Sequence, residues 1–301
     1  MLKKRAINRI LITTIMFFLV FILYSLLEIE NKIQESKEEK FPASSSIYTL
    51  NKDSYISKTN VYVSKFLTLE DKIKEKIEIM IEENNKNALL PSYFKPILPK
   101  NTKIEKVKVE ENIAKLYFSK EFNNVTKEQS EKMIEAIVYT ILDEEILGLE
   151  IYVENEMLKY APNTKKELPT LLTKDFGINK VYEISSTDDI VKIVMSYYSE
   201  NNETYYEIPI TKYVNDKREK IEIILEELKQ VHPKNFITYI ENVNILSYKV
   251  EDEIIKLKID KELSNEEKKV LSKAVFNNYE VEKIELTIKN DYKKEEISKK
   301  N

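Results

Sequence analysis

A pentapeptide occurs twice in this chain: Glu75-Lys76-Ile77-Glu78-Ile79 returns, letter for letter, as Glu219-Lys220-Ile221-Glu222-Ile223. The likeness continues beyond it. Met80-Ile81-Glu82-Glu83 is answered by Ile224-Leu225-Glu226-Glu227, and Ile113-Ala114-Lys115-Leu116-Tyr117-Phe118 by Ile254-Ile255-Lys256-Leu257-Lys258-Ile259. The offset drifts only from 144 (Glu75 to Glu219) to 141 (Ile113 to Ile254). A unit of that length is too long for a solenoid period and has the size of a small domain. The 301 residues are therefore expected to build one small fold twice.

Composition excludes several chemistries. Loops that cradle phosphates with bare backbone need glycine, and the chain has two. With no cysteine there is no disulfide framework, thiolate nucleophile or Cys-ligated metal, and no cysteine for lipid attachment. The net charge of −4 hides an asymmetry, because Lys3, Lys4, Arg5 and Arg9 all precede the first acidic residue, Glu28. The remainder carries −8, from 44 basic and 52 acidic residues. An acidic body of this kind argues against nucleic acid as a partner.

Residues 10–27 (ILITTIMFFLVFILYSLL) form an uncharged apolar run, and as a helix at ~1.5 Å per residue it spans a hydrocarbon core. A cleaved signal peptide has a shorter apolar region, ~7–15 residues, and ends in a small-residue cleavage site. This run ends Tyr24-Ser25-Leu26-Leu27 without such a site, which favours an uncleaved transmembrane anchor. Basic residues before it and acidic residues after it place a stub, 1–9, in the cytoplasm and everything beyond the anchor outside the cell. Residues 28–45, charged and interrupted by Pro42, read as a polar tether.

The first copy is assigned to residues 46–162 and the second to 186–292, joined by a linker at 163–185 and followed by a charged tail at 293–301. Each copy opens with two β-rich runs, Ser46–Leu50 and Ile56–Ser64 in the first, Ile190–Tyr198 and Tyr205–Ile210 in the second. A helix follows. Thr68 caps it in copy one, with Ile73, Ile77 and Ile81 on one face, and Asn215 in copy two, with Ile221, Leu225 and Leu228. Two strands come next, then a second helix opened by Thr126-Lys127-Glu128-Gln129 or Ser264-Asn265-Glu266-Glu267, both of capping-box form. A strand at Leu149–Val153 or Ile284–Ile288 closes the unit. The expected class is α+β: a transmembrane helix, then two ββαββαβ(β) domains, each an antiparallel sheet with two helices on one face.

At this point a resemblance enters. Leu98-Pro99-Lys100-Asn101-Thr102-Lys103-Ile104-Glu105-Lys106-Val107-Lys108-Val109, followed by Ile113-Ala114-Lys115-Leu116-Tyr117-Phe118-Ser119, resembles the GerMN domain, a sporulation and spore-germination module. The likeness extends over both copies. There are departures: copy two has Ile240-Glu241-Asn242-Val243 in place of the Pro-x-x-Thr signature, and the family's usual aspartate in the fourth strand is replaced by Tyr117 and Lys258. The family carries no established catalytic residues. The resemblance implies a non-enzymatic, extracytoplasmic module, often paired behind an export signal, with a shape similar to the ring-building domains of envelope assembly complexes.

No catalytic, cofactor-binding or metal-binding residue is assigned. His232 is the only histidine, and a single imidazole before Pro233 builds neither a zinc site nor a Ser/His/Asp device. The paired carboxylates, Asp143-Glu144-Glu145 among them, fall at helix ends and turns, where such groups are ordinarily solvated. Tyrosine is unusually frequent, at 19. Tyr197, Tyr198, Tyr205 and Tyr206 flank one hairpin and send a ring to each face, either as core and sheet-face side chains or as an amphipathic docking surface. The leading expectation is a membrane-anchored envelope scaffold of sporulation or germination, docking another envelope protein or itself and needing no cofactor. The alternative is a peptidoglycan-binding module using exposed tyrosines, and a third is a wall hydrolase.

Overall fold

The structure is a computed structural model and describes residues 43–64, 68–142, 145–201, 204–230, 240, 243–288 and 294–299. The expected membrane helix at 10–27 and the tether up to Pro42 lie outside the described residues. Among the described residues no helix is long and apolar enough to cross a membrane.

Copy one runs β1 (Ala43–Asn51), β2 (Ile56–Val63), α1 (Leu69–Ile79), β3 (Phe94–Lys95), β4 (Ile104–Glu110), β5 (Ile113–Phe118), α2 (Lys127–Ile141), β6 (Gly148–Val153) and β7 (Glu156–Met157). The linker contributes β8 (Val181–Glu183). Copy two repeats the scheme with β9 (Ile190–Asn201), β10 (Thr204–Asn215), α3 (Lys220–Glu227), β11 (Ile245–Glu251), β12 (Ile254–Ile259), α4 (Asn265–Phe276), β13 (Lys283–Ile288) and β14 (Lys294–Ser298). The α+β class and the tandem arrangement are both present.

One expectation is corrected. Each copy builds two sheets, not one: β2-β1-β3 and β4-β5-β6-β7 in the first, β8-β10-β9 and β11-β12-β13-β14 in the second. The four-stranded sheets are mixed, because β5 pairs parallel with β6 and β12 parallel with β13. The reason lies in the connection. A helix between two strands carries the chain back to the starting edge, so the second strand enters in the same direction as the first. The second helix of each copy is that crossover. Buried positions run around much of α2, including Ser130, Met133, Ile134, Ala136, Ile137, Val138, Thr140 and Ile141, so the helix is covered on more than one side. Thr140 reaches β1, accepting from the Tyr48 N–H at 2.8 Å.

Each copy has its own core. On β5 the inward residues are Ala114, Leu116 and Phe118, and Phe118 stacks on Phe122 with centroids 4.5 Å apart. Ile255, Leu257 and Ile259 take the same places on β12. The helix caps follow the sequence with one exception. Thr68 accepts from the Asp71 N–H, Thr126 from the Gln129 N–H, and Ser264 forms a complete box with Glu267. Asn215 does not cap α3. Its carboxamide instead accepts from the N–H groups of Ser185 and Ser186 and donates to the Asp188 carbonyl, and Glu219 stands at the N-cap without a side-chain hydrogen bond.

The Pro-x-x-Thr signature is a turn. Thr102 donates from its hydroxyl to the Pro99 carbonyl at 2.6 Å, Asn101 takes φ +64°, and the chain enters β4. There the Ser119 hydroxyl oxygen accepts from the Lys103 N–H at 3.0 Å and closes β4 on β5. Copy two lost the signature and kept the latch: Asp260 accepts from the Asn244 N–H at 2.9 Å, with Asn244 and Asp260 each 141 positions after Lys103 and Ser119. The assigned tail also differs. Lys294–Ser298 is the edge strand β14, antiparallel to β13, and its charged sequence suits an edge with one wet face.

Replacing Ser264 by Ala removes the acceptor for the first turn of α4 and is expected to cost about 1 kcal/mol. Urea denaturation of wild type and S264A measures it, and an unchanged midpoint would contradict the cap.

Candidate functional site: a lysine-lined groove between the two copies

The linker is built into the joint between the copies. At Gly177 the chain takes φ +82° and passes close to Thr211, where an added Cβ would meet the hydroxyl at 3.1 Å. Ile178 then exchanges hydrogen bonds with Thr211, its N–H donating to Oγ1 at 2.9 Å and its carbonyl accepting from the Thr211 N–H at 2.8 Å. Asn179 follows with φ +46°, a left-handed conformation that asparagine tolerates better than most residues. Its carboxamide accepts from the Ile56 N–H at 2.9 Å and donates to the carbonyls of Ile56 at 2.7 Å and Pro209 at 2.8 Å. Ile56 belongs to β2 and Pro209 to β10. One side chain thus pairs with the hairpin edges of both copies as a peptide group would.

Charge is buried beside it. The Asn179 N–H donates to Glu135 at 2.7 Å, and Glu135 is 2% exposed. Lys180 lies 3.4 Å from Glu135 and 2.6 Å from Glu131, with its ammonium 3.5 Å from the Phe176 ring centroid. Burial pushes the Glu135 carboxyl up to about 7, against the pull of Lys180 and of the Asn179 N–H.

Above the joint runs a groove in two connected parts, with volumes of about 450 and 860 Å³. Tyr48, Tyr139, Lys174, Asp175 and Lys299 line both parts. Copy two adds Lys192 and Val194 from β9, Glu207 and Pro209 from β10, and Lys273 and Phe276 from α4. The wider part is completed by Ser44, Ser45, Ser46, Lys58 and Lys76 of copy one and by Glu280. With Lys220 the groove has, among the described residues, seven lysines against three carboxylates. Two of those carboxylates are paired, Asp175 with Lys192 at 2.6 Å and Glu207 with Lys273 at 2.5 Å. In an otherwise acidic protein this is a basic cleft, and walls of low dielectric focus its field. Tyr48 and Tyr139 meet edge to face inside it, 5.6 Å between centroids, and burial raises both phenols far above the ordinary value.

The hairpin tyrosines are not gathered on one surface. Tyr197 is 4% exposed and donates to Glu227 at 2.6 Å, and burial with that carboxylate pushes its phenol up. Glu227 also holds Lys212 at 2.8 Å. Tyr206 is 6% exposed, with its ring edge-to-face on Phe94 of copy one at 5.7 Å. Tyr198 is half-buried, and the Tyr205 side chain lies outside the described residues. His232, Asp143 and Glu144 also lie outside them. Elsewhere Tyr117 and Tyr152 stack across β5 and β6 at 4.6 Å with planes 13° apart. Among the described residues no three His, Cys, Asp or Glu side chains are grouped to hold a metal ion.

The groove escaped sequence reasoning because its residues come from β1, β2, α1, α2, the linker and copy two, spread over the whole body. The one available signal was Lys174-Asp175 beside Gly177, in a linker read as a spacer.

Two small α+β modules in tandem, clamped through their linker, define the class of protein. Residues 46–159 match the Germane family model, described as sporulation and spore germination. The spore germination protein GerM of Bacillus subtilis (strain 168) is 24% identical over 262 residues, covering 82% of this chain and 71% of that protein. The solved tandem GerMN domains of the sporulation protein GerM from Bacillus subtilis superpose with a TM-score of 0.73 at 20% identity, covering 83% of this chain and 92% of that one. That likeness shows the fold of both copies, whereas the family model covers the first. The first copy is thus a domain of the GerMN family, and the second shares its fold.

Asn179→Ala strands one buried N–H and two carbonyls at the joint. Each unsatisfied group costs about 1–3 kcal/mol, so a drop of at least ~2 kcal/mol is expected, with the urea transition separating into two steps. A single unshifted transition would contradict the clamp. Glu135 gives a pH signature of opposite sign to a salt-bridged carboxylate. Its folded value lies above the ordinary 4.5, so the native state holds the proton more tightly, and stability falls as pH rises from about 4.5 to about 7. Glu135→Gln keeps an acceptor for the Asn179 N–H and removes the buried charge. Relative to wild type the variant should gain up to about 3 kcal/mol between pH 5 and pH 8 in urea denaturation, and an equal difference at both pH values would contradict the assignment.

Proposed function

We propose that this chain is a non-catalytic scaffold of the cell envelope acting in sporulation or spore germination. In this reading residues 10–27 hold it in the membrane, residues 1–9 remain in the cytoplasm, and the paired domains stand outside. The family description and the printed name of the Bacillus subtilis relative support the process. The uncharged run behind Lys3, Lys4, Arg5 and Arg9 supports the topology.

The observation that carries the scaffold reading is the Asn179 clamp. It spends a buried, fully used carboxamide and the neighbouring buried Glu135 on fixing one copy against the other, which is what presenting two contact surfaces at set separation requires.

The absence of cysteine makes the test clean. A single cysteine at exposed Lys165 should react with a membrane-impermeant maleimide in intact cells, and labelling only after lysis would overturn the topology. A photoreactive residue at exposed Tyr62, Tyr160, Tyr182 or Leu246 should trap a discrete protein adduct in sporulating cells. Failure at all four positions would remove the scaffold reading.

A further inference from the structure

The wide part of the groove contains an open strand edge. Along β1 the backbone groups of alternate residues turn away from β2. At Leu50 they meet β3, opposite Lys95. At Tyr48 they meet α2, where the Thr140 hydroxyl oxygen accepts from the N–H at 2.8 Å and its proton is donated to the carbonyl at 3.4 Å. Ser46 and Ser44 continue the row toward the start of the strand. Among the described residues no hydrogen bond reaches their outward N–H or C=O groups.

Strand edges are usually blunted by lysine, proline or a bulge on the edge itself. This one carries Ser44, Ser45 and Ser46, and its register with β2 is continuous from Ala43 to Leu50. From Ser44 to Ser46 it offers about 7 Å of template, at ~3.3 Å per residue, enough for some three residues of an added strand.

The surroundings define the chemistry of that strand. Lys58 lies directly across from Tyr48 on β2, and Lys76, Lys174 and Lys299 line the same cavity. Among the described residues the carboxylates lining it are Asp175, held by Lys192 at 2.6 Å, and Glu280. Leu142, Ile146 and Leu147 add apolar side chains to the lining, the last 63% exposed.

We propose that this groove takes an extended acidic peptide of a partner protein as an added strand on β1. Main-chain hydrogen bonds to Ser44 and Ser46 supply register, the lysines select acidic side chains, and Leu147 receives the apolar residues between them. The proposal rests on the scaffold reading and names the partner's docking segment by its chemistry.

The test uses the full chain in detergent and a fluorescein-labelled decapeptide of five Glu-Val repeats, read by anisotropy. Saturable binding is expected that weakens with salt and is lost for a Lys-Val peptide. Lys174→Glu with Lys299→Glu, both exposed positions, should weaken binding roughly tenfold or more while leaving the fold unchanged by circular dichroism. A Glu-Val peptide N-methylated at alternate residues should fail to bind, because it cannot complete the ladder. Equal binding of the methylated peptide, or displacement by polyphosphate at equal charge concentration, would overturn strand pairing in favour of simple anion binding. No binding of either peptide would overturn the site. Adducts in cells from Tyr62 or Leu246, with none from a photoreactive residue at Ser45, would remove this groove and leave the scaffold standing.

Discussion

The arrangement of the two copies depends on a single carboxamide. Each hairpin presents an outer side, β2 in the first copy and, beyond the stretch paired with β8, β10 in the second, and two such sides brought together without a regular ladder leave polar backbone groups buried. Asn179 resolves this by acting as an inserted peptide group, taking the Ile56 N–H and serving the carbonyls of Ile56 and Pro209. No aliphatic residue does this, and glutamine would place the same group one methylene too far. The residue must also accept φ +46°, which narrows the choice again. The clamp explains why a buried carboxyl is tolerated nearby. Glu135 is the acceptor that satisfies the Asn179 N–H, and it brings Lys180 into the joint to balance its charge.

Fixing the joint creates the groove above it. Duplication supplied two bodies, and neither alone contains the cleft. Its basic character is assembled from Lys58 and Lys76 of one copy, Lys192, Lys220 and Lys273 of the other, and Lys174 of the linker. The acidic total of the chain therefore describes its average surface poorly at this place. A net-charge argument against polyanions in general addresses the far field, while the groove acts within about a Debye length, ~8–10 Å.

Much of the fold was legible in the sequence, for reasons that differ by element. Strands β5 and β12 announce themselves by alternation, and Ser264 with Glu267 marks a helix start that the structure reproduces as a full capping box. The parallel pairing of β5 with β6 was not read, although the intervening helix implied it, because alternation reports burial and says nothing of direction. The repeated pentapeptide is a further case. It fills the last turn of α1 and the N-cap and first turn of α3, while the C-caps Met80 and Leu228 lie 148 positions apart, against 144 for the pentapeptides. The identity is thus displaced by four residues, one helical turn, from the structural correspondence, in which Ile73 and Ile77 match Ile221 and Leu225. A helix face repeats every turn, so a slipped alignment keeps the hydrophobic stripe and still reveals a true duplication. The tyrosines were legible only as a choice between core and docking surface, for another reason. Two adjacent aromatic residues on a strand tell that both faces are occupied, not which face is wet, and Tyr197 and Tyr206 both turn inward.

The comparison of the two copies separates what the family likeness encodes from what it does not. Copy two lacks the Pro-x-x-Thr turn, yet Asp260 closes β11 on β12 through Asn244 as Ser119 closes β4 on β5 through Lys103. The motif that carries the resemblance is therefore a folding device, replaceable when another acceptor reaches the same N–H. The residues of the groove behave otherwise. Several come from the linker, which has no second copy, and Tyr48 is matched at the same edge position by Val194, whose backbone is held by Asn278 as that of Tyr48 is held by Thr140. The latch on the edge is retained while the side chain above it changes. A duplicated fold that keeps its internal hydrogen bonds and varies what faces the shared cleft has been constrained as architecture in both halves and left free to specialise where they meet.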